Sequence, residues 1–168
     1  MTTHTHPMSR SIWRCLAAAG ALAAATSFAP LAASAGSCPA NKVVAGGDGA
    51  KPVTAAANDV TDKVIASIDL AKETVGVKDR QFRMRRLVIK SGGVVPWHSH
   101  GDRPALIYVV SGEVTEYSSS CAVPIVHRAG EVAPETHVTS HWWKNTGTQT
   151  VVLISADLLK VNDDGHMM

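Results

Sequence analysis

Apolar and polar residues alternate along most of the chain after residue 60. Val64, Ala66, Ile68 and Leu70 interleave with Lys63, Ser67 and Asp69, a period of two that lays one face of a strand against a core. Gln81 to Lys90 reads as a second strand. Its apolar phase slips from Phe82/Met84 to Leu87/Ile89 around Arg85-Arg86, which predicts a bulge there, with Arg83, Arg85 and Arg86 on a solvated face. Ser91-Gly92-Gly93 predicts a turn into a strand over Val94 to His100. Ala105 to Val110 is a continuous apolar run, expected of a strand buried on both faces. Ser111-Gly112 turns into Glu113 to Tyr117. Pro124 to His127, Glu131 to Ala133, His137 to Lys144 and Thr150 to Leu159 continue the series, with turns at Ala129-Gly130 and Asn145-Thr146-Gly147. Many short strands and almost no helical periodicity predict an all-β antiparallel sandwich or barrel.

The first 60 residues differ. Arg10 and Arg14 precede an Ala-rich apolar stretch from Cys15 to about Ala29, and Ala33-Ser34-Ala35 offers a small-x-small cleavage pattern. Residues 1–35 therefore read as a bacterial-type export signal, which implies a periplasmic or secreted protein. The alternative is a membrane anchor, against which Pro30 and the preponderance of alanine weigh; no stable membrane insertion is expected after cleavage. Residues 36–60 read as a flexible arm or linker, 61–160 as the folded domain and 161–168 as a C-terminal tail. The two signal arginines account for the whole formal charge of +2. The remaining chain is neutral, so nothing in its charge argues for a nucleic-acid or anionic-membrane partner. Export would leave Cys38 and Cys121 in a compartment that permits disulfides. A bridge between the arm and the loop before the last strands is the preferred reading, two free or metal-binding thiols the alternative.

Chemistry concentrates in two places. His98-Ser99-His100 puts two imidazoles on the same side of an extended strand, and His141 follows far along the chain in His141-Trp142-Trp143-Lys144-Asn145. A strand carrying His141 must pair beside the first for the three rings to converge. The spacing Gly92…His98-Ser99-His100…Ala105…Gly112 resembles the first cupin motif, G-x5-H-x-H-x4-E-x6-G, with Ala105 where the glutamate stands. Gly130…Thr136-His137-Val138…His141…Asn145 resembles the second, G-x5-P-x-G-x2-H-x3-N, with Thr136 and Val138 at the turn positions. The resemblance covers residues 61–160.

Membership in the cupins implies a double-stranded β-helix, a jelly-roll-like barrel, around a small-ligand cavity. It implies one divalent transition metal on His98, His100 and His141: iron for an oxygenase, with Zn, Mn, Ni or Cu open. With Ala105 in place of a carboxylate, a divalent ion would keep its full charge and one more exchangeable position. Three-histidine sites of this kind recur in thiol and diketone dioxygenases, so a dioxygenase is the enzymatic expectation. A non-catalytic small-ligand or metal-binding and sensing module is the rival. His137 shares strand parity with His141 and is a candidate fourth ligand. Glu135 is a candidate acid/base or partner of a ligand, Arg103 a candidate clamp for a substrate carboxylate, and Tyr108 a candidate cavity wall. His127 and His166 read as core or surface histidines. A small-molecule ligand or substrate and a homodimer are the expected partners.

Overall fold

The structure, a computed structural model, describes residues 1–2, 36–45 and 47–161; the expected signal past residue 2 and nearly all of the tail, with His166, lie outside them. Of two compact units, Met1–Leu31 and Ala32–Met168, the second carries every element described here. Eight strands form it: β1 (Asn58–Asp69), β2 (Arg80–Ser99), β3 (Ala105–Ser111), β4 (Glu113–Ser118), β5 (Ile125–Arg128), β6 (Val132–Glu135), β7 (Ser140–Lys144) and β8 (Val151–Lys160). They pair in the order β5-β4-β7-β2-β8-β3-β6, with β1 against β2 and every pairing antiparallel. Among the described residues no helix is long and apolar enough to cross a membrane.

The 20-residue β2 serves both halves of the barrel. Its first half pairs with β8 from Arg80↔Lys160 to Ile89↔Val151, and its second half with β7 from Val94↔Lys144 to Ser99↔Ser140. The expected turn at Ser91-Gly93 is instead a bend inside one strand. Gly92 sits at φ +78° with open space around it, so the backbone conformation demands glycine there. A Cβ on Gly93 would meet Ile89 Cγ2 at 2.8 Å and Asp59 O at 2.9 Å. Asn145 fixes the matching corner between β7 and β8: its amide nitrogen donates to Ile89 O (3.0 Å) and Gln149 O (2.7 Å), and its Oδ1 accepts from Gly147 N.

The interior is layered. Leu87, Ile89, Val95, Ile107, Val109, Val114, Trp143, Val151 and Leu153 pack one layer. Two positions along β2 and β8 the inward residues become Arg85 and Ser155, then Arg83 and Asp157. The β2–β8 register runs unbroken; the bulge lies in β1, between Val64 and Ala66. The phase slip in β2 is therefore a change of residue type on an unchanged inward face. Arg83 and Arg85 are 6 % and 2 % exposed, contrary to the solvated face expected of them. They are tolerated because Arg83 makes a two-pronged bond to Asp157 (Nε–Oδ1 3.0 Å, Nη2–Oδ2 2.8 Å), while Arg85 pairs with Asp62 and with Asp157 Oδ2 at 3.2 Å. Burial acts first on the Asp157 carboxyl, raising its pKa, but the three guanidiniums outweigh it and hold it below its ordinary value.

Two other expectations change. β3 is buried on one face only: Ile107 and Val109 point in, whereas Leu106, Tyr108 and Val110 are exposed. By register they join Phe82, Met84, Ala156, Leu158, Val132 and Ile68 on the outer face of β1-β2-β8-β3-β6. In β1 the inward positions are Val60 and Asp62, and Val64, Ala66 and Ile68 are exposed. The arm is tied down, not loose. Val43 bridges Cys121, Gly49 and Ala50 donate to Ser119 O and Ser118 O, and Cys38 is disulfide-bonded to Cys121 across a Cα–Cα distance of 5.8 Å.

Candidate metal centre

β2 and β7 bring the histidines together. His98 stands directly opposite His141, after a register shift that absorbs Pro96, a residue with no N–H to give the ladder. His100 follows at the strand's end, its N–H bonded to Thr139 O. The three Nε2 atoms lie 3.1 Å (His98–His100), 3.0 Å (His98–His141) and 3.2 Å (His100–His141) apart. His100 and His141 are fully buried and His98 is half-buried.

Each ring is fixed from behind. His98 Nδ1 faces Pro96 O at 2.9 Å, His100 Nδ1 faces Arg103 O at 2.9 Å, and His141 Nδ1 faces Glu116 Oε1 at 2.8 Å. A carbonyl or carboxylate can only accept, so each Nδ1 carries the proton and each Nε2 is left with a bare lone pair. Trp143 Nε1 also approaches His141 Nδ1, at 3.0 Å. That nitrogen cannot both donate to Glu116 and accept from the indole, and the nearer carboxylate decides its state. Three lone pairs aimed at one point repel unless a cation stands among them. Burial, with His141 next in order, pushes His98 down to about 2 and His100 to about 4, so protons do not fill that role at neutral pH. Three nitrogens about 2.1 Å from one ion stand about 3 Å apart. The residues present fit a metal.

Glu116 is the functional side chain that sequence reading missed. It shares β4 parity with buried Val114 and Ser118, the signal that could have found it. Besides His141 it bonds His127 Nε2 through Oε2 at 2.7 Å, and His127 stacks on Trp143 with ring centroids 4.7 Å apart. His127 is thus a core histidine, as expected. Burial raises the Glu116 carboxyl, but the hydrogen bonds from the two histidines prevail and hold it down.

The other candidates are placed as follows. Ala105 pairs with both Glu135 and Asp157, and no carboxylate occupies its inward position. Glu135 is buried behind His141, its Oε2 3.5 Å from Nδ1, away from the Nε2 atoms. Burial and then the Glu116 charge push its carboxyl up. Arg103 is buried at 7 % exposure with Nη1 3.3 Å from Asp157 Oδ2, so it is not a free clamp. His137 is exposed in the turn Thr136–Thr139, which rotates it away from the trio. Tyr108 is 44 % exposed on the outer face and does not wall the cavity. Of the tryptophans, Trp143 stands edge-on to His141 and Trp142 stacks outside on Tyr117.

The sequence profile of the cupin domain family matches residues 85–157, the stretch that holds all three histidines. Residues 85–157 are a cupin domain. No curated protein matches the chain in sequence. Among solved structures, the cupin-2 domain Rru_A2000 from Rhodospirillum rubrum is 10% identical over 68% of this chain and 70% of its own, at a TM-score of 0.50. An RmlC-like cupin from Shewanella frigidimarina is 15% identical over 68% and 87%, at 0.47. A double-stranded β-helix protein from Klebsiella pneumoniae is 16% identical over 67% and 84%, at 0.49. At 10% identity the likeness to the Rhodospirillum rubrum domain concerns the fold alone, the double-stranded β-helix expected of the sequence.

Proposed function

We propose that this cupin domain binds one divalent transition metal through His98, His100 and His141 and acts on, or holds, a small polar molecule. The carrying observation is the convergence of three unprotonated Nε2 atoms within 3.0–3.2 Å, each ring locked through its Nδ1. Such a metal would supply Lewis acidity and, if it is iron, redox chemistry. Three protein ligands leave exchangeable positions, which is how reactive sites differ from closed structural ones. The enzymatic reading is a non-haem dioxygenase. The non-catalytic ligand-binding or sensing reading is favoured by one observation: Arg103 is committed to Asp157, Tyr108 faces outward and Glu135 lies behind His141, on the side away from the Nε2 atoms. Elemental analysis of purified protein tests the shared claim. His98→Ala should lose the transition metal that the unsubstituted protein retains; equal content in both would reject it.

We also propose export, supported by the disulfide, which suits an oxidising compartment. Non-reducing peptide mapping of the exported protein should recover one cross-linked peptide joining Cys38 to Cys121, with an N-terminus at Gly36. Free thiol, or a chain retaining Met1, would contradict it. Closing an 83-residue separation should stabilise the domain by about 2–4 kcal/mol.

The outer face of β1-β2-β8-β3-β6 supports a homodimer. Ile68, Phe82, Met84, Leu106, Tyr108, Val110 and Val132 are 39–56 % exposed there. Together they form a contiguous exposed apolar patch, which on a folded domain marks an interaction surface. Light scattering should give twice the chain mass, and Leu106→Asp should give the monomer. A monomeric unsubstituted protein would contradict this.

A further inference from the structure

Behind His141, on the side away from the Nε2 atoms, lies a second polar chamber. It is a cavity of about 160 Å³ bounded by Glu116 and Ser118 of β4, His127 of β5, Glu135 of β6 and Ser120, and the stapled Gly36–Cys38 segment lines it. β5 and β6 are the two ends of the strand order and do not pair with each other, so this chamber opens at the seam of the barrel. Glu116 and Glu135 are 4 % and 3 % exposed. Their carboxylates lie within 4.8 Å of each other and of His141 Nδ1. Two carboxylates buried this closely cannot both ionise without a counter-charge. Glu116 is already committed to its charged form by two imidazole hydrogen bonds. Glu135 Oε1 is buried and has no partner among the described residues.

We propose that this chamber is a second cation site, distinct from the histidine trio, in which Glu116 and Glu135 hold a hard divalent ion with water completing its shell. Carboxylate and water ligands suit Mn, Mg and Ca. His141 Nδ1 is not a ligand here, because its proton is donated to Glu116. The ion would neutralise the paired carboxylates in place of a proton on Glu135. The site does not require a metal on the trio, so the two fail separately.

Counting Mn2+ tests it. The full folded protein is dialysed against Mn2+, and bound ion is measured per chain for the unsubstituted protein, Glu135→Gln and His98→Ala. Glu135→Gln keeps the shape of the side chain and removes its charge. Two ions are expected per chain unsubstituted, one in Glu135→Gln and one in His98→Ala. A Glu135→Gln protein that binds as much Mn2+ as the unsubstituted one overturns the proposal, because a proton then suffices for Glu135. Loss in Glu135→Gln with no loss in His98→Ala would support the seam site and count against Mn2+ on the trio. Should Glu135→Gln not fold, Mn2+-soaked crystals of the unsubstituted protein decide: an anomalous peak between Glu116 and Glu135 supports the site, and its absence overturns it.

Discussion

Asp157→Ala should lower the thermal unfolding midpoint by roughly 10–20 °C, from a loss of about 3–5 kcal/mol. Asp157 is 1 % exposed and receives Arg83 at 2.8 Å, Arg85 at 3.2 Å and Arg103 at 3.3 Å on a single oxygen. Removing the acid leaves three guanidiniums around an uncharged gap, with only Arg85 keeping its second partner, Asp62. A domain whose whole stability is about 5–15 kcal/mol has little to spare. Arg86 lies on the same strand facing out, and Arg86→Ala should change stability by less than about 0.5 kcal/mol. Circular dichroism melts of the two variants check the contrast, and equal midpoints would show that burial of the cluster is not maintained in solution. The pH dependence follows from the same carboxyl. Its folded pKa lies below the ordinary aspartate value of 3.8, so its stabilisation is complete above that value and is lost as pH falls through the lower folded one. Asp62, raised by burial despite Arg85, works in the opposite sense.

Glu116→Gln should weaken metal binding at the trio by about 10–100-fold while the domain stays folded. The carboxylate fixes the His141 tautomer at 2.8 Å and holds His127 at 2.7 Å. An amide offers one acceptor oxygen where two are used, and its NH2 group would face one imidazole as a donor. His141 is then free to move its proton to Nε2, the atom the metal needs. Competition for Zn2+ against a chelator of known affinity measures the change, and Zn2+ is the suitable probe because it favours imidazole over the carboxylate-rich seam. Unchanged affinity would mean that His141 is oriented by its packing against Trp143 alone.

Much of the site was legible because strand parity is local. His98 and His100 had to share a side, and Asn145 and Gly92 mark corners whose backbone needs are written in those residues. What was misread depends on partners far along the chain. Arg83 and Arg85 read as surface because nothing nearby neutralises them; Asp157 is 74 residues from Arg83, and Asp62 is 23 from Arg85. Glu116 sits among polar neighbours on β4, and its two imidazole partners come from β5 and β7. Leu106, Tyr108 and Val110 read as buried because apolar residues on the outer face of a strand give the same local pattern as those on its inner face. The Gly92–Gly93 bend read as a strand end because a corner and a turn use the same glycine chemistry.

The most direct test of the metal-centre account is an anomalous difference map at the metal absorption edge, from crystals of protein purified with its own metal content. The account predicts a peak about 2.1 Å from Nε2 of each of His98, His100 and His141. A metal-replete crystal with no peak there, or with its transition metal elsewhere, would contradict it.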